Sequence, residues 1–241
     1  MKKPDLGTAY DREDAGEVIQ TDRPSPRPRD AATLILVRRD QRQPRVLMGK
    51  RSSRHDFMPD KYVFPGGRVD PQDGRAASLN ELTQNDEARL RYRARRLPRS
   101  FALTAIRETF EETGLLLGRQ ADLSSKPPAG WGRLYEMGIA PELSHLRFIG
   151  RAITPPYRPK RFDARFFMAE AEKVLLDDRP PLDGAELHDL QWVSLKEALA
   201  LDLPNVTRFM LAEIEERLSK KDDPGPPFLR WTRSGSANDR I

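Results

Sequence analysis

The chain has 241 residues, 37% hydrophobic and 33% charged, enough for one core-forming domain with polar flanks. It has no cysteine, which excludes disulfides, thiolate metal sites and a cysteine nucleophile, and its three His (His55, His145, His188) are scattered. The net charge of +5 is concentrated: residues 74 to 100 carry seven Arg against three acids, a net +4, which argues for one local basic element and against a general nucleic-acid-binding surface.

Residues 1–29 are charged and proline-spotted without periodicity, and an arm is expected there. "AATLILVRR" (31–39) and "RVLMGKRS" (45–52) read as a hairpin, the first strand central because it is apolar on both faces. "KYVFPGG" is a third extended piece ending in a Pro-Gly-Gly turn. Strong helix formers over 79–97 predict a helix that Pro98 stops. A second helix is expected from a Ser100 cap to Gly114, with Phe101, Leu103, Ala105, Ile106 and Phe110 on a buried stripe. A short helix near 131–139, strands over 144–155, 161–171 and 187–194, and helices over 195–201 and 205–221 complete a core domain of residues 30–220. Residues 221–241 read as a tail. Strands flanked by helices on both sides make an α/β/α sandwich with a mixed sheet. No apolar run reaches the ~20 residues of a membrane span, so a soluble, cytoplasmic protein is expected.

In the second helix Glu108, Glu111 and Glu112 stand at i, i+3 and i+4, so three carboxylates share one face. Such a cluster is either a solvated acidic face or a site for a divalent cation, and oxygen donors suit Mg²⁺ or Mn²⁺. Arg107, four residues before Glu111, can pair with it.

The flanking residues decide between these readings. "GGRVDPQD" (66–73) and "RETFEETGL" (107–115) resemble the two halves of the Nudix box, with Gly67 as its first glycine. Three departures stand out: Thr109 replaces an aliphatic residue, Asp73 replaces a glutamate, and a spacer of seven residues has become 33, residues 74–106. The resemblance implies a Nudix α/β/α sandwich with a helical insertion inside the box, spanning about 74–100. It implies Glu108, Glu111 and Glu112 as metal ligands, with Glu111 and Glu112 the most committed. The family hydrolyses nucleoside diphosphates linked to another moiety, with Mg²⁺ ions bridging the carboxylates and the diphosphate. The base varies in the family; here Glu186, six residues before Trp192, is the first candidate, ahead of Asp183 and Glu170. Asp73 has a structural or outer-shell role on this reading.

Within the family the chain is similar to the long-insert subgroup that contains mammalian coenzyme A diphosphatases, through "KRSSRHDFMPDKYVFPGG" and "TPPYRPKRFDARFFMAE". This implies a small-molecule nucleoside diphosphate substrate such as coenzyme A. ADP-ribose, a dinucleotide or a capped RNA end are the alternatives, with a non-catalytic sensor as a third class. Arg51, Gly66 and Gly67, with Arg158, Lys160 and Arg161 of "RPKR", are the candidate substrate-binding residues. Phe57 and Met58 are candidates for lining a pocket. Two roles fit the inserted helix: attracting a polyanionic substrate at the mouth of the site, or meeting a second copy in a homodimer.

Overall fold

The computed structural model describes Lys3 and residues 25–54, 58–220, 223–232 and 235–241. The expected arm therefore lies largely outside the described residues, as does Phe57.

Eleven strands and six α-helices are described: β1 (Arg29–Arg38), β2 (Arg45–Arg51), β3 (Tyr62–Val63), β4 (Gly66–Arg68), α1 (Gln84–Arg91), α2 (Pro98–Thr113), β5 (Arg119–Gln120), α3 (Gly132–Glu136), β6 (Ile139–Ala140), β7 (Arg147–Ile153), β8 (Phe162–Glu170), α4 (Ala171–Val174), β9 (Leu187–Ser194), α5 (Leu195–Ala198), α6 (Asn205–Ser219), β10 (Pro227–Thr232) and β11 (Gly235–Arg240). Nine strands form one mixed sheet in the order β11-β10-β7-β8-β1-β2-β3, with β4 beside β1 and β9 beside β2. β1 runs parallel to β8 along nine residue pairs and antiparallel to β2 and β4.

The apolar run of β1 alternates between two cores. Ala32, Leu34 and Leu36 pack on one face with Phe101, Leu103 and Ile106 of α2, and Ile35 and Val37 pack on the other with Phe209, Met210 and Ile214 of α6. Burial on both sides, the reason β1 reads as central, makes the sheet the middle layer of an α/β/α sandwich. No helix of the described residues is long and apolar enough to cross a membrane.

The insert differs from expectation. Its helix runs only from Gln84 to Arg91, capped by the Thr83 hydroxyl, which accepts from the Asp86 N–H at 3.2 Å. Pro98 does not stop a helix; it opens α2 at its first turn, where its missing N–H costs nothing and its fixed φ suits the helix. Leu97, and not Ser100, is the N-cap. The insert also contributes Ala76, Leu82 and Leu90 to the core, so α2 is buried on far more than one stripe. Buried Asp86 accepts the Phe148 N–H at 3.1 Å and ties the insert helix to β7.

The C-terminal segment is not a tail. β10 joins the sheet beside β7, pairing Phe228 with Arg151 and Leu229 with Ala152 in parallel, and β11 pairs antiparallel with β10. Phe228 and Leu229 are buried, and that apolar burial is the reason the segment docks.

Candidate active site

The site is assembled where β4 meets α2. A side chain at Gly66 would overlap the Ala32 carbonyl, and one at Gly67 would collide with the Glu108 carboxyl. The double glycine thus lets the backbone lie against β1 on one side and the glutamates on the other. The Gly66 N–H donates to Glu112 Oε2 at 2.8 Å. α2 ends at Gly114 in the left-handed region, φ 70°, with its N–H on the Phe110 carbonyl at 2.8 Å. Thr109, at the position of an aliphatic residue, is fully buried and satisfied by donating to the Ala105 carbonyl at 2.7 Å.

Arg107 is the hub. Its Nε and Nη2 donate to Asp73 at 2.8 and 3.0 Å, its Nη1 donates to Glu111 at 2.8 Å, and Nη2 lies 2.9 Å from Glu108. Asp73 is fully buried and also accepts from Thr104 Oγ1 (2.6 Å), Trp131 Nε1 (3.0 Å) and the Asp70 N–H (2.9 Å). Burial would raise the Asp73 carboxyl, but Arg107 and Thr104 together hold it below its ordinary value. Burial would likewise lower Arg107, and the Asp73 hydrogen bonds with the Glu108 charge more than reverse this. The shorter acid at position 73 is therefore an internal anchor, with both oxygens occupied by protein donors. Trp131 and Thr104, its other partners, carried no local sign of this role in the sequence.

Glu108 is pushed up to about 7 by burial, against the pull of Arg107 and helped by the Glu111 charge. Burial pushes Glu112 up to about 8 despite the Gly66 N–H, and raises Glu111 as well. Among the described residues no three acids or imidazoles enclose a metal as they stand. Glu108 and Glu111 are drawn to Arg107 and Glu112 to Gly66. The donor set nevertheless fits a hard divalent cation: three carboxylates on one face of α2 carry negative charge that burial penalises and Arg107 only partly offsets.

These residues open on a cleft of about 1410 Å³. Arg51, Gly66, Gly67, Glu108, Glu111, Glu112 and Arg107 line it, as do Glu186, Met58, Arg158 and Lys160. Glu186 is exposed beside Glu111, Glu112 and Arg51, near enough for its charge to raise both glutamates. Burial pulls the Arg51 guanidinium down, and the charges of Glu112 and Glu186 push it back. Arg161 does not line the cleft; it donates to the carbonyls of Thr154 (2.9 Å) and Pro26 (3.0 Å) and to the Ser25 hydroxyl (2.8 Å). Asp183 accepts two backbone N–H groups of β9, from Asp189 and Leu190, and Glu170 pairs with Lys173 at 3.0 Å. Neither lines the cleft. Of the insert arginines only Arg96 does, while held by Asp30 at 3.2 Å.

No protein-family model matches the chain. A Caenorhabditis elegans protein bearing a nudix hydrolase name is 29% identical over 71% of this chain and 53% of its own length. Acyl-coenzyme A diphosphatase NUDT19 of Gallus gallus is 27% identical over 64% of this chain and 55% of its own length. The chain thus spans about half the length of these curated relatives. Among solved structures, a NUDIX hydrolase from Alicyclobacillus acidocaldarius is 31% identical, with a TM-score of 0.61, covering 77% of this chain and 90% of that one.

Proposed function

The chain belongs to the Nudix hydrolase family, and on that premise we propose that it hydrolyses the diphosphate linkage of a nucleoside diphosphate derivative, with coenzyme A or an acyl-coenzyme A as the first substrate to test. The observation that carries this reading is the convergence of Glu108, Glu111, Glu112 and Glu186 with Arg51 in one cleft that Arg158 and Lys160 also line. Acids there serve a cation and a water; the cations meet phosphate oxygens.

Glu108, Glu111 and Glu112 would hold Mg²⁺, or Mn²⁺ in its place. When bound, the metal neutralises diphosphate charge and makes a water more nucleophilic. The chain's own residues do the rest. Arg107, locked on Asp73, fixes the direction of Glu111. The Gly66 N–H orients Glu112. Glu186, exposed at the cleft, takes the proton of the attacking water, directly or through one further solvent molecule. Arg51, close enough to both Glu112 and Glu186 to feel their charges, binds a phosphate oxygen of the substrate. The likeness to an acyl-coenzyme A diphosphatase supports a coenzyme A substrate over ADP-ribose, a dinucleotide or capped RNA. A sensor that binds without cleaving has no use for three penalised carboxylates on one helix face.

The test is a panel of diphosphate compounds with Mg²⁺, with products identified by mass spectrometry. Release of 3′,5′-ADP and a 4′-phosphopantetheine from coenzyme A is expected. Turnover of another diphosphate but not of coenzyme A would replace the substrate, and turnover of none would leave the sensor.

A further inference from the structure

The cleft continues well past the glutamates. A row with one step in it runs across the sheet along its floor: Gly66 opposite Thr33, then two residues back along β1 Ala31 opposite Ala164, Ala164 opposite Ala152, Ala152 opposite Leu229, and Leu229 opposite Asn238. Every one of these lines the cleft. The row crosses β4, β1, β8, β7, β10 and β11, and at about 4.8 Å per neighbouring strand it is about 24 Å long. The volume of about 1410 Å³ also exceeds the roughly 300–1,000 Å³ of an ordinary small-molecule site. A diphosphate at the glutamates fills only one end.

The far stretch is lined mostly by apolar side chains. Ala152, Ala164, Phe166 and Leu229 of the sheet line it with Val206 and Phe209 of α6, Asn205, Thr207 and Asn238 add polar groups, and Trp231 lines it too, its ring edge-on to Tyr157 with centroids 5.6 Å apart. Alternation along β10 puts Leu229 and Trp231 on the cleft side and Phe228 on the other. There Phe228 meets the insert: its ring lies 4.4 Å from the Arg151 guanidinium and edge-on to Tyr92, centroids 6.3 Å apart. Arg151, itself buried, donates to the Tyr92 and Arg93 carbonyls at 2.8 and 3.3 Å. Arg89 of α1 pairs with Asp223, just ahead of β10.

We propose that the β10–β11 hairpin is the distal wall of the substrate cleft, with Trp231 a specificity-determining residue for a long, uncharged, largely apolar arm attached to the diphosphate. The insert acts on substrate choice from behind, by bracing that wall through Tyr92 and Arg151. This rests on the diphosphate reading of the site, and its test separates the two. Octanoyl-pantetheine carries such an arm and no diphosphate, so titration calorimetry with it reads the wall without the chemistry. Wild type is expected to bind it, Trp231→Ala to bind about tenfold more weakly, and Trp231→Phe to retain most of the affinity. Tyr92→Ala is expected to weaken this binding too, while its kcat on acetyl-coenzyme A stays at the wild-type level. Thermal melts of each variant exclude simple unfolding. Binding of the arm by a protein that cleaves no diphosphate would overturn the proposed function and leave the wall standing. No binding by wild type, or equal binding by Trp231→Ala, would overturn the wall; unchanged binding by Tyr92→Ala would overturn the bracing.

Discussion

Arg107 grips Asp73 through two parallel hydrogen bonds, 2.8 and 3.0 Å long, across 34 positions of sequence. Asp73 closes the first half of the motif and Arg107 opens the second, so a side-chain clasp joins what the insert separates. Because the same guanidinium reaches Glu111 and Glu108, the clasp transmits its position to the carboxylates.

Replacing Asp73 with Asn takes the doubly bonded carboxylate from the buried Arg107 guanidinium, leaving only its contacts with Glu108 and Glu111, and turns an acceptor into a donor that faces it. The expected loss of stability is about 3–5 kcal/mol, read as a lowered urea midpoint with an unchanged slope. A loss under about 1 kcal/mol would show that the clasp is dispensable.

Glu111→Gln and Glu112→Gln keep shape and remove charge. Each is expected to lower kcat on the order of a hundredfold or more while circular dichroism stays native. Near-normal turnover in either variant would sink its assignment as a metal ligand.

Gly67→Ala places a methyl group against the Glu108 carboxyl. The side chain must turn away, so activity should drop and the Mg²⁺ concentration for half-maximal rate should rise. The cost in stability should be only about 1–3 kcal/mol, because the collision is local. An unchanged metal requirement would place Glu108 outside the metal shell.

Glu108 and Glu112 titrate near 7 and 8 in the metal-free fold, above their ordinary value of 4.5. From pH 4.5 to about 8 the folded state holds more protons than the unfolded chain, so the stability these two carboxyls contribute is full below pH 4.5 and is lost as pH rises through about 8. In EDTA the melting temperature should therefore fall across this range, and Mg²⁺ should restore it most at the alkaline end. A melting temperature that rose with pH in EDTA would refute the assignment.

Leu90 of α1 is 2% exposed and packs into the core that holds α2. Leu90→Ala should cost about 2–5 kcal/mol by urea unfolding. Excising residues 76–98 removes Ala76 and Leu82 as well, and soluble, folded protein is not expected from that deletion. Recovery of a stable deletion variant would show that the insert's apolar contacts are redundant.

The sequence displayed what depends on local pattern. β1 was legible from an apolar run, α2 from its apolar stripe and its Gly114 cap, and β9 over its full length of 187–194. Contacts between distant residues were hidden. Nothing near Asp73 announces Trp131 or Thr104, and Pro98 reads as the stop of the insert helix until the neighbours of α2 are known. The cations of "RPKR" look alike in sequence, yet Arg158 and Lys160 line the cleft while Arg161 binds the segment before β1. β10 and β11 escaped notice because β11, "GSANDR", has no apolar alternation at all.

That polarity has a purpose of its own. β11 is the terminal strand on its side of the nine-stranded sheet, where unpaired backbone donors and acceptors invite another molecule's strand. An apolar strand in that place would turn each sheet into a template for the next. Exposed, charged and hydrated Asp239 and Arg240, with no apolar side chain beside them, give a second strand little to bury there, so the segment that looks least like a strand is the one that blunts this edge of the sheet.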